Sequence, residues 1–246
     1  MKTIMGFSLC LILLSGCTKK EFQKIDLKGD LSIKVVTLSE FGSYLKDKGN
    51  VELTIEGSTP EIKASTDTSG SCLIKDLPIG TYNLIFSKEG YGTMKAQGLK
   101  FIGNDVPFMY SIPLIQKSST KITSYTQSIL GTTLTCTGTI VHHYPKSDIV
   151  YYPYNWPGLV VYISDSPNVS STNYLNAYNF NSDQTDDTAF KVSLNVSTAS
   201  FPKGSTVYSI IYGRNRFGYS IYDFEKGVYY DPSLGEPSEV KPIVVP

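Results

Sequence analysis

Val51-Glu52-Leu53-Thr54-Ile55-Glu56-Gly57 alternates apolar and polar side chains and ends on a glycine. A period of two places Val51, Leu53 and Ile55 on one face, the signature of a half-buried β-strand. Leu31-Ser32-Ile33-Lys34-Val35-Val36 has the same period. Further strands are predicted over 61–65, 71–74, 81–87, 95–102 and 106–114. Turn residues punctuate them. In Thr66-Asp67-Thr68-Ser69-Gly70 the aspartate can bond its own backbone and the glycine tolerates positive φ. Asp76-Leu77-Pro78-Ile79-Gly80 and Glu89-Gly90-Tyr91-Gly92 make the next corners. The stretch 38–50 is expected to be a loop with one helical turn.

The polar run 116–120 marks a boundary. Beyond it strands are predicted over 132–143, 158–164, 189–196, 205–213 and 240–245. Five or more strands in the remaining length suggest a second sandwich. No internal repeat links the halves, and no long helical pattern follows the N-terminal segment. The expected fold is therefore all-β, with two tandem β-sandwich domains over 30–117 and 118–246.

Composition agrees with this reading. The chain has 246 residues, enough for one large domain or two small ones at roughly 150 residues per domain. Hydrophobic residues make up 41% and charged residues 18%, which excludes a disordered chain and a multispan membrane protein. Lys plus Arg and Asp plus Glu both number 22. Zero net charge argues against a nucleic-acid partner, which calls for a basic excess.

The N-terminus carries an address. Lys2 precedes an apolar run over 4–14, too short for the roughly 20 residues of a spanning helix and of signal-peptide length. Leu14-Ser15-Gly16-Cys17 follows, and it resembles the lipobox of bacterial lipoproteins. The resemblance implies that residues 1–16 are cleaved as a signal peptide. Cys17 is then acylated, and 17–29 form the lipidated cysteine and a polar tether. Cleavage removes Lys2 and no acid, leaving 21 basic against 22 acidic side chains. Several acyl chains anchor stably where one binds marginally. Thr18 stands where an aspartate would resemble an inner-membrane retention signal, so the outer membrane is the expected destination. Its periplasmic and its outer face are both open to the protein.

Three spaced motifs carry a further resemblance. Thr66-Asp67-x-x-Gly70, Leu77-Pro78-x-Gly80-Thr81-Tyr82 and Lys88-x-Gly90-Tyr91 resemble the carboxypeptidase-regulatory-like, prealbumin-type β-sandwich. That family supplies spacers and binding modules and brings no catalytic residue to carry over. Residues 201–213, with the strand layout around them, resemble the fibronectin-type-III-like modules that follow such domains in Bacteroidetes lipoproteins.

Candidate chemistry is sparse. His142 and His143 are the only histidines. Neighbours on a strand point to opposite faces, so they cannot share one metal, and zinc usually needs three or four protein ligands. No Gly-x-Ser-x-Gly, phosphate loop or His-Glu-x-x-His occurs. The expectation is a non-enzyme with no metal and no cofactor. The acidic run Asp183, Asp186 and Asp187 lacks EF-hand spacing and reads as a solvated loop. Asp187-Thr188-Ala189 resembles the three-residue O-glycosylation acceptor of exported Bacteroidetes proteins. Cys72 and Cys136 are expected to be unpaired, buried thiols in different domains.

Aromatic residues are distributed unevenly. Of 18 tyrosines, 14 lie after residue 116, as does the single tryptophan. Tyr144, Tyr151, Tyr152, Tyr154 and Trp156 crowd a stretch broken by Pro145, Pro153 and Pro157, which marks a loop. Such rings can stack on sugar faces or anchor a protein, or they can cap the second sandwich as a small core. The expected function is a non-enzymatic, lipid-anchored envelope protein. It would display a surface for carbohydrate near outer-membrane nutrient-uptake machinery. The alternatives are a structural or adhesive spacer and an accessory subunit of an outer-membrane transporter.

Overall fold

The computed structural model describes residues 27–103, 108–141, 158–181, 189–215 and 220–246. It is all-β, and no helix occurs among the described residues. The first sandwich is built from β1 (Lys28–Leu38), β2 (Glu52–Ile55), β3 (Ile62–Ser65), β4 (Ser71–Pro78), β5 (Gly80–Ser87), β6 (Met94–Phe101) and β7 (Phe108–Ile115). One sheet has the order β4-β1-β7 and the other β3-β2-β5-β6. β1 runs antiparallel to β4 and parallel to β7. Leu31, Ile33, Val35, Leu53, Ile55, Leu84 and Phe86 meet between the sheets, as their period-two spacing requires.

The motif residues of this half hold its turns. Thr66 Oγ1 donates to the Lys48 carbonyl at 2.7 Å and accepts the Val51 N–H at 3.0 Å. Asp67 accepts the Ser69 N–H, the Ser69 hydroxyl and the Ser71 N–H, all through Oδ1. Those bonds, led by the one from Ser71, hold its carboxyl below the usual carboxylate range. The Tyr82 hydroxyl closes the next corner on the Pro78 carbonyl at 2.8 Å. Residues 38–50 contain no helical turn. Ser39 Oγ accepts the N–H groups of Phe41 and Ser43, and Leu38 bridges to Tyr44. This side-chain competition with the backbone favours a tight turn over a helix.

The second sandwich comprises β8 (Lys121–Leu130), β9 (Thr133–Val141), β10 (Gly158–Ser164), β11 (Asn176–Asn181), β12 (Ala189–Asn195), β13 (Thr206–Arg214) and β16 (Lys241–Val244). Its sheets are β12-β9-β8 and β11-β10-β13-β16. Leu134, Cys136, Val161, Ile163, Phe201, Val207 and Ile211 form its core. A separate two-stranded sheet pairs β14 (Ile221–Asp223) with β15 (Val228–Tyr230). Cys72 and Cys136 are free and buried, one in each sandwich.

Residues 116–120 are not an exposed linker, and Ser118 and Thr120 are buried. The Lys117 N–H donates to the Gly90 carbonyl and the Ser118 N–H to the Ser233 carbonyl, both at 2.9 Å. The Ser119 N–H donates to Glu40 Oε2 at 2.8 Å, and Asn215 Nδ2 to the Gln116 carbonyl at 3.0 Å. Both halves thus bond the connecting segment, which holds them against each other.

Candidate binding site

Cys17 and the aromatic candidates Tyr144, Tyr151, Tyr152, Tyr154 and Trp156 lie outside the described residues. So do His142, His143, Thr188 and the acidic run at 183–187. The chain leaving this aromatic stretch enters β10, and β10 floors a site that sequence reading missed.

All seven residues of β10 are buried. Leu159, Val161 and Ile163 face the sandwich core, while Val160 and Tyr162 enter a second cluster on the outer face with Val169, Ile210, Tyr212 and Leu234. A continuous apolar run, Gly-Leu-Val-Val-Tyr-Ile, suits a strand covered on both sides. The Tyr162 ring sits 4.8 Å from that of Tyr174 and edge-on to Tyr212 at 5.7 Å. Burial pushes the Tyr162 hydroxyl far above its ordinary pKa, and burial also raises that of Tyr174.

Beside these rings opens a cavity of about 300 Å³, bordered by Tyr162, Tyr174, Asn179, Arg214, Tyr229 and Asp231 among others. Its size lies at the low end of small-molecule pockets, which run from roughly 300 to 1,000 Å³. Arg214 Nε donates to Asp231 Oδ2 at 2.9 Å. The other oxygen of Asp231 accepts the Ser233 N–H at 3.0 Å and the Ser233 hydroxyl at 2.8 Å. Asp231 is buried, and this set of donors is what makes a buried carboxylate tolerable. The Tyr174 hydroxyl donates to the Tyr229 carbonyl at 2.7 Å, tying the cavity wall to β15.

That wall is a two-faced hairpin. The register pairs Ile221 with Tyr230, Tyr222 with Tyr229 and Asp223 with Val228. Ile221 packs against the core of the first sandwich. At the turn, Glu225 lies 3.4 Å from Lys95 and the Phe224 N–H donates to Gln97 Oε1 at 3.4 Å. The opposite face carries three rings. Tyr222 contacts Phe224 at 5.1 Å and Tyr229 at 4.9 Å between centroids. Phe224 is 75% exposed and Tyr229 58% exposed, so the cluster is open to solvent although its backbone is held from behind.

Sequence did carry a signal for this hairpin. Ile221-Tyr222-Asp223-Phe224-Glu225-Lys226-Gly227-Val228-Tyr229-Tyr230 sets two aromatics on either side of a glycine-containing turn. The Arg214–Asp231 pairing had no such signal, because it depends on where β13 ends relative to that hairpin.

Fold and site together define an all-β, two-sandwich protein with an aromatic and amide-bearing surface site. No protein-family model matches the chain, and no curated protein matches it. Among solved structures it is similar to a DUF3823 family protein from Bacteroides ovatus, at 13% identity over 89% of this chain and 100% of that one, with a TM-score of 0.36. It is similar to a DUF3823 family protein from Parabacteroides merdae at 12% identity, 88% and 99% coverage and a TM-score of 0.35. It is also similar to a candidate carbohydrate binding protein from Bacteroides uniformis at 12% identity, 88% and 100% coverage and a TM-score of 0.34. At these scores the likenesses carry no argument about function.

Proposed function

We propose that this chain is a non-enzymatic lipoprotein, anchored through Cys17 in the outer membrane, that displays a carbohydrate-binding surface near nutrient-uptake machinery. One observation carries the binding reading. Tyr222, Phe224 and Tyr229 form a ring cluster in which Phe224 and Tyr229 are exposed, and Tyr229 also borders a cavity that holds amide and hydroxyl groups. A sugar presents C–H faces that stack on such rings and hydroxyls that bond to such polar groups. Exposed contiguous aromatics on a soluble surface mark interaction sites. The first sandwich, in its carboxypeptidase-regulatory-like reading, acts as the support that holds the hairpin. Tyr144, Tyr151, Tyr152, Tyr154 and Trp156 are proposed as further ligand-binding residues on the composition of their stretch, five rings broken by prolines.

The test is a glycan-array screen of the chain from Thr18 onward, followed by titration of the strongest hit. Phe224→Ala should weaken that hit about tenfold or more, as loss of a central aromatic anchor does, without lowering the melting temperature. An array with no hit, or a Phe224→Ala protein that binds as the parent does, overturns the assignment.

A further inference from the structure

We infer that the cavity selects an uncharged oligosaccharide, a short neutral segment filling the pocket while the continuing chain crosses the rings of Tyr229 and Phe224. This inference rests on the carbohydrate reading and adds to it the class of sugar.

The argument is one of charge. Among the described residues Arg214 is the cation that borders the cavity, and its Nε donates to Asp231 at 2.9 Å. Asp231 is the matching anion, its second oxygen saturated by Ser233. The lining therefore has no net charge among its described residues. A uronic or sialic acid entering it would surrender the hydration of its carboxylate. In return it would meet a guanidinium whose charge a buried carboxylate already offsets, with like-charge repulsion from that carboxylate. A neutral sugar meets no such penalty. The remaining polar groups suit hydroxyls: the Asn179 amide both donates and accepts, and Ser220 adds a hydroxyl. Tyr162 and Tyr174 stay protonated at neutral pH because burial raises both hydroxyls, so neither adds an anion. Beyond the cavity, Lys95 of the first sandwich faces Glu56 at 2.8 Å and Glu225 at 3.4 Å, so this one cation is already outnumbered by two carboxylates. Lys226, at the hairpin turn, does not border the cavity.

Size sets the length of the bound segment. About 300 Å³ admits a short segment, and the exposed rings beside it offer stacking that is indifferent to charge.

The experiment is calorimetric titration of the chain from Thr18 onward, with two ligand sets of equal length. The neutral set is cello-, xylo- and manno-oligosaccharides, and the acidic set is oligogalacturonides and alginate oligomers. Each is run at low and at high NaCl. The expected result is binding confined to the neutral set, with Kd changing less than about twofold between the salts, because no ion pair is screened. Tyr229→Ala should weaken that binding about tenfold. Preference for the acidic set, or an affinity that collapses in high salt, overturns this inference alone. Silence from both sets overturns the carbohydrate reading with it. An unchanged Tyr229→Ala affinity for a neutral ligand removes the pocket from the account.

Discussion

Gly92 of the first sandwich lies directly against the Pro232 carbonyl of the second, so close that a Cβ there would stand 2.5 Å from the carbonyl carbon. Ser233, the next residue, accepts the Ser118 N–H and bonds Asp231, so this contact adjoins the cavity. Gly92→Ala should push the two halves apart and cost about 1–3 kcal/mol, as overpacking typically does. Faster proteolysis near residues 116–120, with a lower unfolding midpoint, is the expected readout. Parental resistance would show that the halves yield at no cost.

Gly70 combines φ of +81° with a Cβ position that would collide with the Val35 carbonyl. Its own N–H bonds Asp67 at 2.9 Å and its carbonyl accepts the Val35 N–H at 2.8 Å. Gly70→Ala should therefore destabilise by more than about 2 kcal/mol, from left-handed strain and collision together. Urea denaturation would measure it.

Tyr125 joins the sheets of the second sandwich. Its hydroxyl lies 3.0 Å from the Ser209 carbonyl and 3.1 Å from that of Glu239, and burial pushes it up to about 12. Tyr125→Phe keeps the ring but strands buried acceptors, at about 1–3 kcal/mol. A denaturation midpoint equal to the parent's would contradict this.

Cys136 is fully buried in the same core, and desolvation pushes its thiol up to about 12. An unfolded thiol ionises near ~8.5. The folded value is the higher one, so this contribution is fully present below the unfolded value and is lost as pH rises towards the folded one. Stability should fall between about pH 8.5 and 12, and Cys136→Ala should flatten that fall. Cys72 and Cys136 should both resist thiol reagents at pH 8 until the chain unfolds. Rapid labelling of the native protein would reject this burial.

Anchoring is tested by fractionation. Among the described residues no helix is long and apolar enough to cross a membrane. Cys17→Ser should shift the protein from the membrane fraction to the soluble one. Unchanged detergent partitioning would refute the lipid anchor.

Strands that keep strict alternation were legible without coordinates. β2 and most of β1 follow it, and their inward residues are the ones found in the core. β8 escaped notice because a bulge between Ile122 and Ser124 shifts its register, so Ile122 and Tyr125 no longer read as one alternating face. β11 escaped because Asn-Ala-Tyr-Asn-Phe-Asn has too little β-propensity to stand out. The expected helical turn in 38–50 failed because Ser39 bonds the backbone there instead.

The order of residues by itself determined the all-β class, the turn motifs around Asp67 and Gly80, and the excess of tyrosine in the second half. These depend on local periodicity, φ preference and short-range spacing, which a chain displays before it folds. Only tertiary structure decided where the rings face and which charges meet. It brings Asp231 to Arg214, seventeen residues away, and lays Glu225 beside Lys95, 130 residues away. Both contacts are set by how the hairpin docks between two sandwiches. That docking is a balance of packed surface and hydrogen bonds from both halves, which no local pattern encodes.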